Sequence, residues 1–393
     1  MRKISADFIC PVNVPPIAEG VLITDDDGRI LAIDPSRSRH DPATLEVSHG
    51  IIVPGFVNTH CHLELSHLKG RVATGTSLLP FLYDVVALRE SEMEEILAAI
   101  ASADAEMFEG GIVAVGDISN KADTAALKDR SRLRYYTFVE MFDFLQDNQA
   151  EGTFARYYEV FGQQSTANGN QKSCVPHAPY TVSRKLFAKT NAANRPGQTI
   201  SIHNQETPHE NTLFQDKSGA FIDFYARFGF SLDHFQPVGK TSIHYAMENL
   251  RQDTRVLFVH NTTTSPADIH AAQAWNPQVY WATCPNANLY IENRLPVYRN
   301  FIDAGAKVTI GTDSLTSNWQ LSVLEEMKTI ARLQSYVPFD AILRWATLNG
   351  AEALGFERDF GSLEPGKKPG VLLLEGIGPS FRLTAGTTVR RLL

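Results

Sequence analysis

The chain has 393 residues, 43% of them hydrophobic and 20% charged, with a formal net charge of −8. This is the composition of a soluble globular protein large enough to bury a sizeable core. The acidic balance and the lack of any basic run exclude nucleic acid as a main partner, because phosphate binding needs concentrated Lys and Arg, and no apolar run is long enough to span a membrane.

The N-terminal Met1-Arg2-Lys3-Ile4-Ser5-Ala6-Asp7 soon meets an acid, and no apolar signal-peptide core follows, so the chain reads as cytoplasmic. Its four cysteines, Cys10, Cys61, Cys174 and Cys284, are scattered without a C-x-x-C pair, which suggests neither a disulfide framework nor a structural zinc site. Residues 1 to about 53 read as short strands at 3–10, 20–24 and 30–33, the last after the turn Asp25-Asp26-Asp27-Gly28. The middle alternates apolar strand candidates (51–58, 112–115, 135–140, 173–177, 199–203, 256–260, 279–283, 307–311) with helix candidates such as 90–108, 183–193, 266–275 and 320–333. Short, fully apolar strands alternating with helices form parallel sheets buried on both faces, and eight of them suggest a closed barrel. The 201–249 segment is long for one crossover and should carry extra helices or a lid. Phe221, Phe224, Tyr225, Phe228, Phe230 and Phe235 crowd it, and some of them should form its own small core. Beyond Pro365-Gly366, residues 371–374 and 387–393 are again strand-like. The expected fold class is therefore α/β. A barrel domain at 54–353 is joined to a small β domain built from both ends, 1–53 plus 354–393.

The residues able to do chemistry fall at the C-terminal ends of the strand candidates, the end that holds the active site in (β/α) barrels. Strand alternation points His60 and His62 to one face, half of a divalent-metal site, and turns Cys61 into the core. His177 ends the fourth strand, His203 the fifth with Glu206 three residues on, and His260 the sixth; Asp313 follows the eighth. Each alone reads as a packing histidine or a turn cap. Six or seven independent caps at the same end of successive strands do not, and the joint pattern reads as a metal site.

These motifs resemble the amidohydrolase superfamily, in particular its branch of deaminases acting on aminated heterocycles. The matching stretches are Pro54-Gly55-Phe56-Val57-Asn58-Thr59-His60-Cys61-His62, His203-Asn204-Gln205-Glu206, Phe258-Val259-His260, Cys284-Pro285-Asn286-Ala287-Asn288 and Gly311-Thr312-Asp313-Ser314. Gly361-Ser362-Leu363-Glu364-Pro365-Gly366-Lys367 is similar to the family's return into its small domain. The resemblance implies a distorted (β/α)8 barrel with a small β-sandwich made from both termini. It implies one divalent metal, Zn2+ or Fe2+, held by His60, His62, His203 and Asp313. His260 would contact the water that the metal activates. Binuclear relatives use a bridging lysine on strand 4; here that strand end has none, and Lys172 sits too early, so one metal is favoured.

The chemistry agrees with that implication. A bound divalent ion makes hydroxide available near neutral pH, but the ring nitrogen and the leaving amine must both be protonated. Glu206 is placed to shuttle those protons, with His260 and Asp313 orienting the hydroxide and taking its proton. Glu64, His67, His177 and Glu210 are candidate substrate contacts. The His-Leu-Glu run and the loop after strand 5 are most similar to aminofutalosine deaminase and its relatives, which act on an adenine nucleoside such as 6-aminodeoxyfutalosine, although Asn204-Gln205 departs from the usual small or apolar residues before the glutamate. A hydrolase of the same fold that opens a cyclic amide or removes an imino or halide group, and a non-catalytic small-molecule binder, remain as alternatives. The resemblance also suggests a homodimer. Gly361 to Lys368 nearly spells a phosphate loop but lacks the final Ser or Thr and precedes a strand, so it is set aside.

Overall fold

The computed structural model describes residues 1–393. The apolar runs of the middle form strands β1 (Phe56–Cys61), β2 (Ile112–Ser119), β3 (Arg134–Met141), β4 (Gln171–Pro176), β5 (Thr199–Asn204), β6 (Arg255–His260), β7 (Val279–Thr283) and β8 (Val308–Ile310). They lie in two four-stranded arcs, β4-β3-β2-β1 and β5-β6-β7-β8, parallel throughout. The arcs meet at both edges. At one seam the His203 N–H donates to the His177 carbonyl at 2.9 Å; at the other, the Thr312 and Asp313 N–H groups donate to the His60 carbonyl at 3.0 and 2.9 Å. Side chains reinforce the second seam: Asn58 exchanges hydrogen bonds with Thr312 at 2.8 and 3.0 Å, and Thr59 Oγ1 meets Thr309 Oγ1 at 2.7 Å.

Helices fill the crossovers where the pattern places them: Met93–Glu109, Arg184–Ala193, Pro266–Trp275 and Val323–Leu333. Their starts are set locally. The Ser183 side chain accepts from the Leu186 N–H, the Ser322 side chain accepts from the Glu325 N–H, and Ser265 with Asp268 forms a capping box ahead of Pro266. The long segment after β5 carries three helices, Pro208–Asp216, Phe221–Arg227 and Ser242–Asn249. Phe221, Phe224, Tyr225 and Phe235 are buried there and join the large core. No helix is long and apolar enough to cross a membrane.

Two strand expectations are corrected. The 51–58 run is not one strand: it breaks at Gly55 into Ile51–Pro54 and β1, which belong to different sheets. The 3–10 run likewise divides into Arg2–Ser5 and Phe8–Ile9. The terminal residues form a four-stranded sheet (Ile30–Asp34, Val21–Thr24, Arg2–Ser5, Glu46–Val47) and a five-stranded one (Thr388–Arg391, Val371–Glu375, Ile51–Pro54, Phe8–Ile9, Ile17–Ala18). In the second sheet Val371–Glu375 runs antiparallel to Ile51–Pro54, with Leu374 opposite Ile51. Successive side chains of these two strands face opposite ways, so Ile52, Val371 and Leu373 pack with Ile4, Ile9, Leu22 and Ile30, while Ile51, Val53, Leu372 and Leu374 pack into the large core.

Gly55 is where the chain passes from one sheet to the next. A Cβ there would come within 2.3 Å of Val113 Cγ1 and 2.6 Å of the Pro369 carbonyl oxygen, and the Gly55 N–H already donates to that carbonyl at 3.1 Å. Gly55→Ala is expected to cost about 1–3 kcal/mol of stability, as overpacking of a tight interior does. The shift of the urea midpoint reads it directly, and an unchanged midpoint would mean that the strands part without cost.

Candidate active site

His60 projects from the end of β1, and His62 follows at the first turn of a 3-10 helix, Leu63–Leu68. His203 comes from β5, and Asp313 from the turn after β8. Their donor atoms converge. His62 Nε2 lies 3.2 Å from His60 Nε2 and 3.3 Å from His203 Nε2. Asp313 Oδ1 lies 3.4 Å from His62 Nε2 and 3.6 Å from His60 Nε2. Four donors about 2.0–2.1 Å from a central ion stand about 3.3–3.4 Å apart at the corners of a tetrahedron, so the set fits one divalent ion.

The neighbours set the protonation of these groups. Burial lowers His60 and His62 to about 4, so at neutral pH both offer lone pairs. His203 donates its Nδ1–H to the His177 carbonyl at 2.9 Å, which leaves Nε2 as the ligand atom. Burial would lower His203, but Glu140, Glu206 and Asp313 outweigh it and raise it to about 9. The same negative surroundings favour a cation at the cluster. Burial opposes ionisation of Asp313, yet His60, His62 and His260 hold it well below the usual carboxylate range, and Ser317 Oγ donates to its Oδ2 at 2.7 Å. Gly311 permits the close approach of β8 to β1, since a Cβ there would stand 2.7 Å from His60 Cβ.

Across the cluster stand Glu206 and His260. Glu206 is buried, and desolvation pushes it well above the usual carboxylate range, so it keeps its proton. His260 Nδ1 is held by Asn288 Oδ1 at 2.9 Å, and its Nε2 lies 3.7 Å from Glu206 Oε2. Gln205, His260, Asn261 and Asp313 all have left-handed φ (47°, 72°, 59° and 58°), which turns the strand ends sharply over the site. His62, His203, Glu206, His260 and Asp313 line one cavity whose outer wall is apolar: Leu82, Val85 and Val86 from helix Leu78–Leu88 face Phe142, Phe144, Phe224 and Phe228.

Residues 51–387 match the model of the amidohydrolase family. The chain belongs to the amidohydrolase family. It is 27% identical to a 5'-deoxyadenosine deaminase from Methanosphaera stadtmanae over 84% of this chain and 75% of that protein. Helicobacter pylori aminofutalosine deaminase in complex with methylthio-coformycin aligns over 100% of both chains at 21% identity with a TM-score of 0.81. The zinc complex of atrazine chlorohydrolase from Arthrobacter aurescens aligns over 100% of this chain and 93% of its own at 16% identity with a TM-score of 0.76. The family and the zinc-bound neighbour support a divalent metal in this amidohydrolase, and the His-rich cluster is a group able to hold one.

The structure thus brings His60, His62, His203 and Asp313 together, with Glu206, His260 and His177 on the same cavity wall. Three expected substrate contacts are elsewhere. Past His62 the chain coils into a 3-10 helix, which carries Glu64 and His67 behind the wall. The Glu64 carboxylate accepts from the Asn120 and Lys121 N–H groups at 2.9 and 3.0 Å, and His67 Nε2 bonds the Arg89 carbonyl at 3.0 Å. Glu210 folds under its own loop, where its Oε2 accepts from the Glu206 N–H at 3.2 Å, and it is not on the cavity wall. Glu140, at the end of β3, was not read as a site residue. Its Oε1 lies 3.3 Å from His203 Nδ1, and it lines the cavity. Its place at a strand end, level with His60 and His177, was the available signal. Glu140, His177 and His203 each place a ligand-type atom within 4.8 Å of the others. A second ion among them is disfavoured because His203 Nδ1 already carries the proton donated to the His177 carbonyl.

Wild-type protein is expected to hold about one divalent ion per chain, and His203→Ala or Asp313→Ala to retain less than about a tenth of it, measured by elemental analysis after dialysis. A second expectation concerns Glu326. It is fully buried behind Asp313, accepting from the Asn286 N–H at 2.8 Å and from Asn318 Nδ2 at 2.7 Å, and burial raises it to about 8. Between its unfolded value and about 8 the folded protein keeps a proton that the unfolded chain releases, so this group's contribution to stability falls as pH rises. Below about 6.5 the neutral buried histidines act in the opposite sense. Metal-free protein should therefore lose stability from pH 6.5 to 8, and Glu326→Gln should flatten that slope in urea unfolding series.

Proposed function

We propose that this amidohydrolase is a hydrolytic deaminase that replaces the amino group of an aminated, purine-like ring with an oxo group and releases ammonia. The observation that carries the reading is Glu206, a buried carboxyl whose desolvation favours the protonated form and which shares one cavity with His62, His203, His260 and Asp313. When bound, the divalent ion lowers the pKa of a water to about 7. The protein's own groups handle the protons. Glu206 donates to the ring nitrogen, so that the attacked carbon accepts the oxygen. His260 Nε2 and Asp313 take up the proton of the attacking water. Glu206, now a carboxylate, takes the proton of the newly formed hydroxyl and passes it to the amine, which departs as ammonia while the ring carbon becomes a carbonyl. The proton held at His260 and Asp313 then restores Glu206, whose Oε2 lies 3.7 Å from His260 Nε2. The apolar cavity wall excludes competing water.

Three nitrogens and one oxygen suit zinc, which is the ion we assign; ferrous iron accepts the same donors. We read the two arcs as one closed (β/α)8 barrel at 54–353, seated on a β-sandwich of 1–53 and 354–393. We place the enzyme in the cytoplasm, which its four buried, unpaired cysteines support. The substrate we assign is an adenine nucleoside modified away from the ring. The 5'-deoxyadenosine deaminase relative and the fold shared with aminofutalosine deaminase support that choice.

Glu206→Gln is expected to keep its zinc and to lower ammonia release by about 10^2–10^4-fold. Ammonia is assayed on a panel of adenosine derivatives, guanine, aminopterins and aminotriazines. A fully active Glu206→Gln would remove the shuttle role. Turnover of a halogenated ring without ammonia would move the enzyme to halide hydrolysis on the same barrel.

A further inference from the structure

Glu140 has a feature that the reaction leaves unused. Its carboxylate is buried, yet Oε1 has no hydrogen-bond partner, although the residue lines the cavity. Oε2 is fixed by Asn120 Nδ2 at 3.3 Å, and the same amide group holds the Glu140 carbonyl at 3.0 Å. His203 Nδ1, the nearest nitrogen, has given its proton to the His177 carbonyl. A buried acceptor left unmet is costly, so a donor from the bound molecule belongs at this oxygen. Beside it stands His177, whose Nδ1 is taken by Thr181 Oγ1 at 2.7 Å, leaving Nε2 for a second polar partner. Two adjacent side-chain partners on one wall, one of them acceptor-only, match two neighbouring hydroxyl groups.

Outward from this pair the wall turns apolar, with Phe142, Phe144, Phe224, Phe228, Val85 and Val86. The one Lys or Arg on it is Arg89, whose charge is offset by Glu64 Oε1 at 3.8 Å.

We propose that Glu140, with His177 and Asn120, is a specificity subsite for a vicinal diol on the substrate, and that the apolar mouth beyond it takes an uncharged substituent in preference to a carboxylate. The proposal rests on the deaminase reading for the position of the ring. It implies that the preferred molecule is a ribonucleoside with a neutral 5' end.

The test uses oxo-form nucleosides, which bind without reacting. Calorimetry on zinc-loaded protein compares inosine with 2',3'-dideoxyinosine, and 5'-deoxyinosine with inosine 5'-carboxylate. Wild type is expected to bind inosine at least about 10-fold more tightly than the dideoxy form, because a site built for hydroxyls rejects the analogue that lacks them. Glu140→Gln is expected to bring that ratio to about one with zinc content unchanged, and 5'-deoxyinosine to bind more tightly than the carboxylate. Equal binding of the first pair by wild type, or no binding of inosine, overturns the diol subsite. A Glu140→Gln that loses zinc and weakens both ligands equally also overturns it, because the residue would then act through His203. Preference for the carboxylate overturns the neutral mouth. If wild type discriminates the diol but releases no ammonia from the matching amino nucleosides, the deaminase reading falls and the subsite stands.

Discussion

The hydrogen bonding between the two arcs is the constraint on which the rest of the structure depends. The hydrogen bonds that join the arcs are made by the residues whose donor atoms converge at the candidate metal site. His60 accepts from Thr312 and Asp313 across one seam, and His203 bonds the His177 carbonyl with both its main chain and its ring across the other. Donor separations of 3.2 to 3.6 Å are thus fixed by backbone pairing rather than by flexible side chains. A shift in the register of either seam would break the donor set and the sheet together. This is why Gly311, which lets β8 lie against His60, matters as much as any ligand.

Charge and polarity are arranged around that frame in depth. Imidazoles surround the ion site, and carboxylates stand behind and beside them. Asp313 is held ionised by the histidines, while Glu206 is kept protonated by burial. Two carboxyl groups in one cavity thereby take opposite states, which lets one serve as ligand and the other as acid at the same pH. The apolar outer wall sharpens both effects by keeping the local dielectric low.

The sequence made the strand ends legible because chemistry and periodicity coincided there: an apolar run followed at once by His or Asp is rarely needed for packing alone. The same logic failed where the chain turned after the run. Glu64 and His67 continue the most distinctive motif of the chain, but a 3-10 helix carries them behind the wall, and nothing in their spacing shows that turn. Glu140 was passed over because an acid closing an apolar strand looks like its solvent-facing last residue. Helix Leu78–Leu88 was not anticipated. It is apolar on the cavity side and also where Tyr83 packs on Phe224 and Phe228, at ring-centroid distances of 5.1 and 5.3 Å, so it shows no clean polar face from which to read a helical period. The break at Gly55 was hidden for a related reason, since both halves of 51–58 are buried strands and only their partners differ.

The pairing of Ile51–Pro54 with Val371–Glu375 has a consequence for how the chain is made. The first strand leaves the ribosome roughly 320 residues before its neighbour, which at 5–20 residues per second is some tens of seconds. For that time Ile51 and Val53 have no Leu372 and Leu374 beside them, and the strand that feeds directly into the first metal ligands has an open edge. Biosynthesis of this enzyme therefore passes through a long-lived nascent state with an unpaired apolar edge, the kind of surface that holding chaperones cover. The five-stranded sheet can lock only when Val371–Glu375 and Thr388–Arg391 arrive.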